Sequence, residues 1–274
     1  MKDNFIIKGG LITLLLLNLP LLGNNIEKNK SIISSDEKES IILDSVFVMP
    51  SAGALANSLK MIFHDIKWSN FIDTKSGDIG KNNEEKVLNL GIKGADLFFL
   101  AISKNSKELT KIAKYTNLIL NEIIIDRKSI NTRSRKKSLK NLEKLIKREM
   151  WSPVLKEITI LKENINIDFD DKGKHHLSLL NDIGSWMEGY RLTVEALKSD
   201  YKQLETAILF QSSLIEYLLK ELKSSKELQS FSKRDKIIDF LTKIDNILLN
   251  AKNYQLSKKE LLKLSEIFKE ESIL

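Results

Sequence analysis

The sequence predicts an all-α fold, a bundle of roughly eight helices, and three observations carry that prediction. From about residue 83 onward the apolar residues recur with a period near 3.6, the spacing of one helix face. No stretch alternates apolar and polar with the period of two that a half-buried strand requires. Eleven glycines and three prolines in 274 residues are also too few for the turn-rich sandwich and Rossmann-type folds. A hydrophobic content of 42% is enough to build a core, which excludes global disorder.

Residues 1–25 read as an export leader or N-terminal anchor. Lys2 and Lys8 precede the apolar run Leu11–Leu22, and the small residue Gly23 follows. A basic start, an apolar stretch of about a dozen residues and a small residue after it are the parts of a secretory signal. The run is shorter than the roughly 20 residues of a membrane span. Asn24 stands where a lipoprotein signal would place its lipidated cysteine. The chain has no cysteine, so disulfides, thiolate metal sites, thiol catalysis and that lipidation are excluded. Residues 26–45 are polar with mixed charge and predict a linker. A single all-α domain is expected over 46–274.

Pro50 or Ser51 can open a first helix with Leu55, Leu59, Ile62 and Phe63 on its apolar face. The stretch 67–83 holds two glycines and no sustained period, and predicts a loop. Asn82 with Glu85 three residues on forms a capping box for a helix over about 83–103. Asn105 with Glu108 caps the next, to about Ile125. A basic helix is expected over 135–149, and another after Ser152 with Pro153 at its first position. A long helix spans about 174–198, and Asp200 with Gln203 caps one that reaches Leu222. Ile237, Leu241, Ile244 and Leu248 mark a further helix face. Ser257 with Glu260 caps the last.

Part of the chain meets itself at a shift of 95 residues. Gly94 falls on Gly189, Leu97 on Leu192, Ala101 on Ala196, Lys107 on Lys202 and Leu109 on Leu204. The repeat implies two similar helical hairpins packed with pseudo-symmetry. On its helix Gly91 shares a face with Gly94, Ala95 and Phe98. In the second copy Trp186, Gly189, Thr193 and Ala196 do the same. Small residues at that spacing let a neighbouring helix approach closely, or let a ligand ring lie in the groove. Asn89, Lys93 and Asp96 form an adjacent polar stripe, with Glu188, Arg191 and Glu195 as its counterpart. The candidate binding residues are Asn89, Gly91, Gly94, Asp96, Trp186, Glu188, Gly189 and Tyr190.

Residues 126–149 hold ten basic and three acidic residues, an excess of 10 − 3 = +7 that equals the net charge of the whole chain. The candidate basic patch is Arg127, Lys128, Arg133, Arg135, Lys136, Lys137 and Lys140. Aromatic platforms for bases are missing from it, which disfavours nucleic acid and leaves a nucleic-acid binder acting through this helix as an alternative for a chain whose N-terminus is not a signal. For an exported chain, anionic headgroups or an acidic partner fit better. His175 and His176 follow three aspartates, but adjacent histidines diverge by about 100° on a helix and do not make a zinc pair. With Asp168 placed first, position twelve of a calcium loop would be Leu179. No catalytic residue, metal site or cofactor is assigned: nucleophile elbow, P-loop, dinucleotide fingerprint and H-E-x-x-H are all missing from the sequence.

The stretches "PSAGALANSLK", "EEKVLNLGIKGADLFFLAI" and "DIGSWMEGYRLTVEAL" resemble a family of bacterial envelope proteins, secreted or lipid-anchored. That family carries a P-S-P start, an L-N-L-G-x-x-G-A-D-L helix and a later G-x-W-x-E helix. Asn89, Gly91, Gly94, Asp96, Trp186 and Glu188 fit its pattern over about 50–200, whereas Ala52 replaces the second proline. The resemblance implies an exported helical protein and brings no catalytic residues. A second similarity is to imelysin-like envelope proteins with a G-x-H-x-x-E motif. There Trp186 stands in the histidine position and Glu188 one place early, which leaves His175, His176 or Glu188 as ligands of an alternative metal or haem site. The expected function is therefore non-catalytic: binding of a protein or other envelope component outside the cytoplasm.

Overall fold

The computed structural model describes residues 66–74, 78–123 and 130–270. The leader, the linker, the helix expected after Pro50, and Arg127 and Lys128 of the basic patch lie outside the described residues. Eight α-helices follow, with no strand among the described residues. They are α1 (Asn83–Ile102), α2 (Ser106–Glu122), α3 (Ile130–Lys147), α4 (Trp151–Asp170), α5 (His175–Ser199), α6 (Ser212–Ser224), α7 (Arg234–Asn250) and α8 (Lys258–Glu270). The all-α bundle is the fold expected from the periodicity.

Three helix starts follow from side-chain caps. Asn82 accepts the Glu85 N–H at 2.8 Å, and the Glu85 carboxylate reaches back to the Lys81 N–H at 2.9 Å. Asn105 accepts from the Glu108 N–H, and Ser257 and Glu260 cap α8 reciprocally. Each cap satisfies amide hydrogens that the first helical turn leaves without an internal acceptor. Three starts differ from expectation, the first being α3, which begins at Ile130 rather than at 135. α4 begins at Trp151, so Pro153 occupies its third position, where a missing N–H is equally harmless. The helix expected over 200–222 is broken: a 3-10 turn covers Gln203–Leu209 and α6 starts at Ser212. The reason is tertiary. Tyr201 donates to the Leu256 carbonyl at 2.8 Å, and Thr206 accepts the Leu256 N–H at 2.8 Å, pinning this segment to the α7–α8 loop.

The helices close into two rings. α1–α2–α3–α4 pack neighbour to neighbour, with α4 returning to α1, and α5–α6–α7–α8 close in the same way. The rings meet where α1 crosses α5, the most extensive helix contact in the fold. α1 and α5 run in the same direction there, because Leu88 and Ile92 meet Gly184 while Phe99 meets Gly189.

Glycine makes that crossing close. A Cβ at Gly91 would stand 2.1 Å from the Asn181 carbonyl oxygen, and one at Gly184 would stand 2.2 Å from that of Leu88. No side chain fits between the two backbones. The contact is reciprocal: Gly91 lies against Asn181 and Ser185, and Gly184 lies against Leu88 and Ile92. The partners share one spacing of 93 (184 − 91, 181 − 88 and 185 − 92). The pseudo-symmetric register at the crossing is thus 93, not 95, and Gly184 is the true mate of Gly91. Gly94 and Gly189, paired by the shift of 95, do not form a second crossing. A Cβ at either would find its nearest neighbour at 3.9 Å or 3.7 Å, ordinary contact.

Alanine substitution separates the two pairs of glycines. Gly91→Ala or Gly184→Ala forces the backbones apart and is expected to cost about 1–3 kcal/mol by overpacking, or more. Gly94→Ala and Gly189→Ala should be neutral or gain up to about 1 kcal/mol of helix propensity. Urea denaturation midpoints of the four variants check this. Equal losses at all four positions would contradict the assignment.

Candidate functional site

The α1–α5 crossing sorts the neighbouring residues onto two sides. One side faces the segment 66–74 and carries charge. Asp96 and Glu188 are both buried there, 1% and 3% exposed. Lys93 pairs with Asp96 Oδ2 at 2.7 Å and approaches the Asp73 carbonyl at 3.4 Å. Arg191 grips the Glu188 carboxyl through Nε at 2.7 Å and a second N–H, and donates to the Phe71 carbonyl at 2.8 Å. The two cations therefore tie 66–74 down over the carboxylates, with Trp68 seated edge-on against Phe99, ring centroids 4.5 Å apart. Asp96 is no surface ion pair; it is a buried charge held in a network.

The two carboxyl groups also meet each other. Asp96 Oδ1 is buried without a donor, and the Glu188 carboxyl lies within its hydrogen-bonding reach. Two acceptors cannot bond, but one proton between them makes the bond. Burial, aided by the Asp96 charge and opposed by Arg191, pushes the Glu188 pKa up to about 8. The pair therefore holds one shared proton to a higher pH than a free carboxyl would.

The other side of the crossing opens into a cavity of about 410 Å³, a size ordinary for small-molecule sites. α1 lines it with Gly94, Ala95 and Phe98, and α5 with Ser185, Trp186, Gly189, Tyr190 and Thr193. α4 closes it with Ile158, Leu161 and Ile165, and the segment after α5 with Ile208, Leu209 and Gln211. The glycines supply hollow floor where a side chain would stand. Its interior polar groups are already bonded. Trp186 Nε1 donates to Gln211 at 2.8 Å and Tyr190 Oη to the Leu209 carbonyl at 3.1 Å. Thr116 and Thr193 donate to carbonyls one turn back.

The expected binding residues thus part company. Gly94, Trp186, Gly189 and Tyr190 line the cavity. Gly91 belongs to the crossing, and Asp96 and Glu188 to the charged network. Asn89 directs its amide to the carbonyls of Asp78 and Ile79, at 3.0 and 3.2 Å, and positions a loop rather than a ligand. Sequence reasoning missed Gly184, whose signal is a second glycine one spacing of 93 from Gly91. It also missed the α4 wall, since an apolar helix face reads alike against a core or a cavity.

The histidines do not join Glu188. Twelve positions of α5 separate His176 from Glu188, about 18 Å along the axis, so the imelysin-like ligand set is not brought together. His175 pairs with Asp170 at 2.9 Å on the surface, and burial lowers the His176 pKa. Among the described residues no group of three or more histidine or acidic side chains could hold a metal ion.

The basic patch is corrected at one residue. Arg135 is buried and pairs with Asp168 of α4 at 2.9 Å, so it holds α3 in place. Arg133, Lys136, Lys137, Lys140, Lys144 and Lys147 are exposed on α3, with Glu143 as the acidic residue among them. Comparison of the chain with family models, curated proteins and solved structures finds no match.

The proton between Asp96 and Glu188 has a consequence for stability. The folded state binds it more tightly than the unfolded chain, whose glutamate titrates near 4.5. Stability should accordingly be full below that value, fall as pH rises towards about 8, and level off above. Glu188→Gln keeps a donor facing Asp96 and cannot ionise, so it should remove much of that slope. Urea unfolding of both proteins across this range checks it. A parallel decline in the variant would place the titration elsewhere.

Proposed function

We propose that this chain is a non-catalytic binding protein of the bacterial envelope, and that it takes an apolar part of an envelope component into the α1–α4–α5 cavity. The single observation behind this reading is the cavity itself. It is preformed, apolar in its interior, and floored by Gly94 and Gly189, where larger residues would fill it. The Asp96–Glu188 pair supports no catalytic reading. Both carboxyls are buried under 66–74 and neither lines the cavity, so no substrate atom in the cavity comes within reach of their proton. Export rests on the basic and apolar leader, in keeping with the resemblance to secreted and lipid-anchored helical proteins.

A second surface has its own support. The exposed cations of α3 form a nearly single-sign face, which suits an anionic membrane surface at about 1 kcal/mol per basic residue. On this reading the protein rests by α3 against headgroups while its cavity receives the apolar guest.

Three experiments test these readings. Protein purified from an envelope fraction should release a small molecule detectable by mass spectrometry, and Gly94→Leu from the same fraction should release none. N-terminal sequencing of the mature chain tests the leader, and recovery in the cytosol with Met1 retained would sink the export reading. For α3, the triple variant Lys136→Glu, Lys137→Glu and Lys140→Glu should lose most of its co-sedimentation with phosphatidylglycerol vesicles at low salt. Unchanged binding would remove α3 from the account.

A further inference from the structure

The cavity is not uniform along its length. α4 and α5 run antiparallel, so Asn166 of α4 meets Asn181 and Asp182 of α5 at one end. Along α5 the cavity lining extends from Asn181 to Thr193, about 18 Å at 1.5 Å per residue. At the Asp182 end Lys162 and Asp182 are partly exposed and Glu163 is exposed. This end opens to water. At the Thr193 end Phe98, Thr116 and Ile158 are buried.

The hydrogen-bonding capacity is divided in the same direction. Deep in the cavity the hydroxyls and ring N–H groups are committed to protein acceptors, as described above, so a guest finds hydrocarbon and bonded groups. At the mouth a chain of bonds runs from Asn181 to Asn166 at 2.8 Å and from Asn166 to Asp182 at 3.1 Å. Lys162 joins it from the other side, 3.0 Å from the same Asp182 oxygen. Capacity is left over at each member. Each amide keeps a second hydrogen, the ammonium keeps two, and Asp182 keeps an oxygen. The mouth therefore offers donors and acceptors interleaved, with its cation already paired.

We infer that the cavity binds a single-chain amphiphile, its hydrocarbon tail lying along α5 towards Thr193 and its uncharged, hydroxyl- or amide-bearing head at the mouth formed by Lys162, Asn166, Asn181 and Asp182. A hydroxyl both donates and accepts, which matches the interleaved array. A carboxylate head only accepts and meets Asp182 and Glu163. An ammonium head only donates and competes with Lys162 for Asp182. Either would leave mouth groups desolvated without partners. This assignment rests on the cavity being the binding site, and the test keeps the two apart.

The full chain is titrated by calorimetry with dodecyl maltoside, dodecanoate and dodecylamine, each below its micelle concentration. Dodecyl maltoside should bind at least about tenfold more tightly than either charged analogue. Gly94→Leu and Gly189→Leu, checked for wild-type melting, should abolish binding of all three. Lys162→Ala should weaken dodecyl maltoside several-fold, about the loss of one hydrogen bond. Equal or tighter binding of a charged analogue, still blocked by the leucine variants, overturns the head assignment and leaves the cavity reading standing. Binding that survives the leucine variants, or no binding of any of the three, overturns the cavity reading as well.

Discussion

The backbone contact between α1 and α5 is the constraint on which everything else in this structure depends. Two helices can come this close only where both lack a Cβ, and Gly91 and Gly184 provide that at one point each. Close approach brings the neighbouring residues of both helices into register. On one side it drives Asp96 and Glu188 together; on the other it leaves the paired hollows of Gly94 and Gly189 facing a common space. The charged network and the cavity are two consequences of one crossing. Ser185 reinforces it, its single hydroxyl hydrogen shared between the Gly91 carbonyl at 3.1 Å and the Asn181 carbonyl of its own helix at 2.9 Å.

Burying two carboxylates at such a place needs compensation, because an unpaired charge taken from water costs several kcal/mol. Lys93 and Arg191 supply part of it from one turn along each helix, and the shared proton supplies the rest. Both cations also reach past their carboxylates to backbone oxygens of Asp73 and Phe71. A segment with little secondary structure of its own is thereby fastened to the crossing, and Trp68 brings apolar contact with it. The network is therefore a fastening as well as an ion cluster. It fixes what covers one face of α1 and α5, and the cavity stays on the other face.

Much of the fold was legible because helices announce themselves locally. The caps at Asn82, Asn105 and Ser257 and the face Ile237, Leu241, Ile244 and Leu248 depend on neighbours within one or two turns. The break at 203–211 was not legible, because the bonds that stop the helix come from Leu256, some 50 residues away in sequence. Arg135 was misread for a related reason. A basic residue among basic residues reads as surface, and only the α3–α4 packing reveals Asp168 as its partner. The small-residue faces were correctly located but wrongly matched. A glycine pattern shows where space exists without showing whether a helix or a cavity takes it.

That last distinction bears on how a sequence pattern of this kind is used. Glycine costs about 1 kcal/mol within a helix relative to alanine, so each glycine in α1 and α5 calls for a physical return. Gly91 and Gly184 have theirs in the backbone contact. Gly94 and Gly189 touch nothing that a methyl group would disturb, so close packing does not account for them. What the absent side chains leave is volume beside Trp186, Tyr190 and Phe98, in a cavity whose deep polar groups are already bonded and whose mouth groups keep unused bonding capacity. If helix stability alone governed these two positions, alanine would serve better at both. On the binding reading proposed above, the conformational penalty is instead offset by what the space admits, and the two glycines that fail to make the crossing are the ones that floor the cavity.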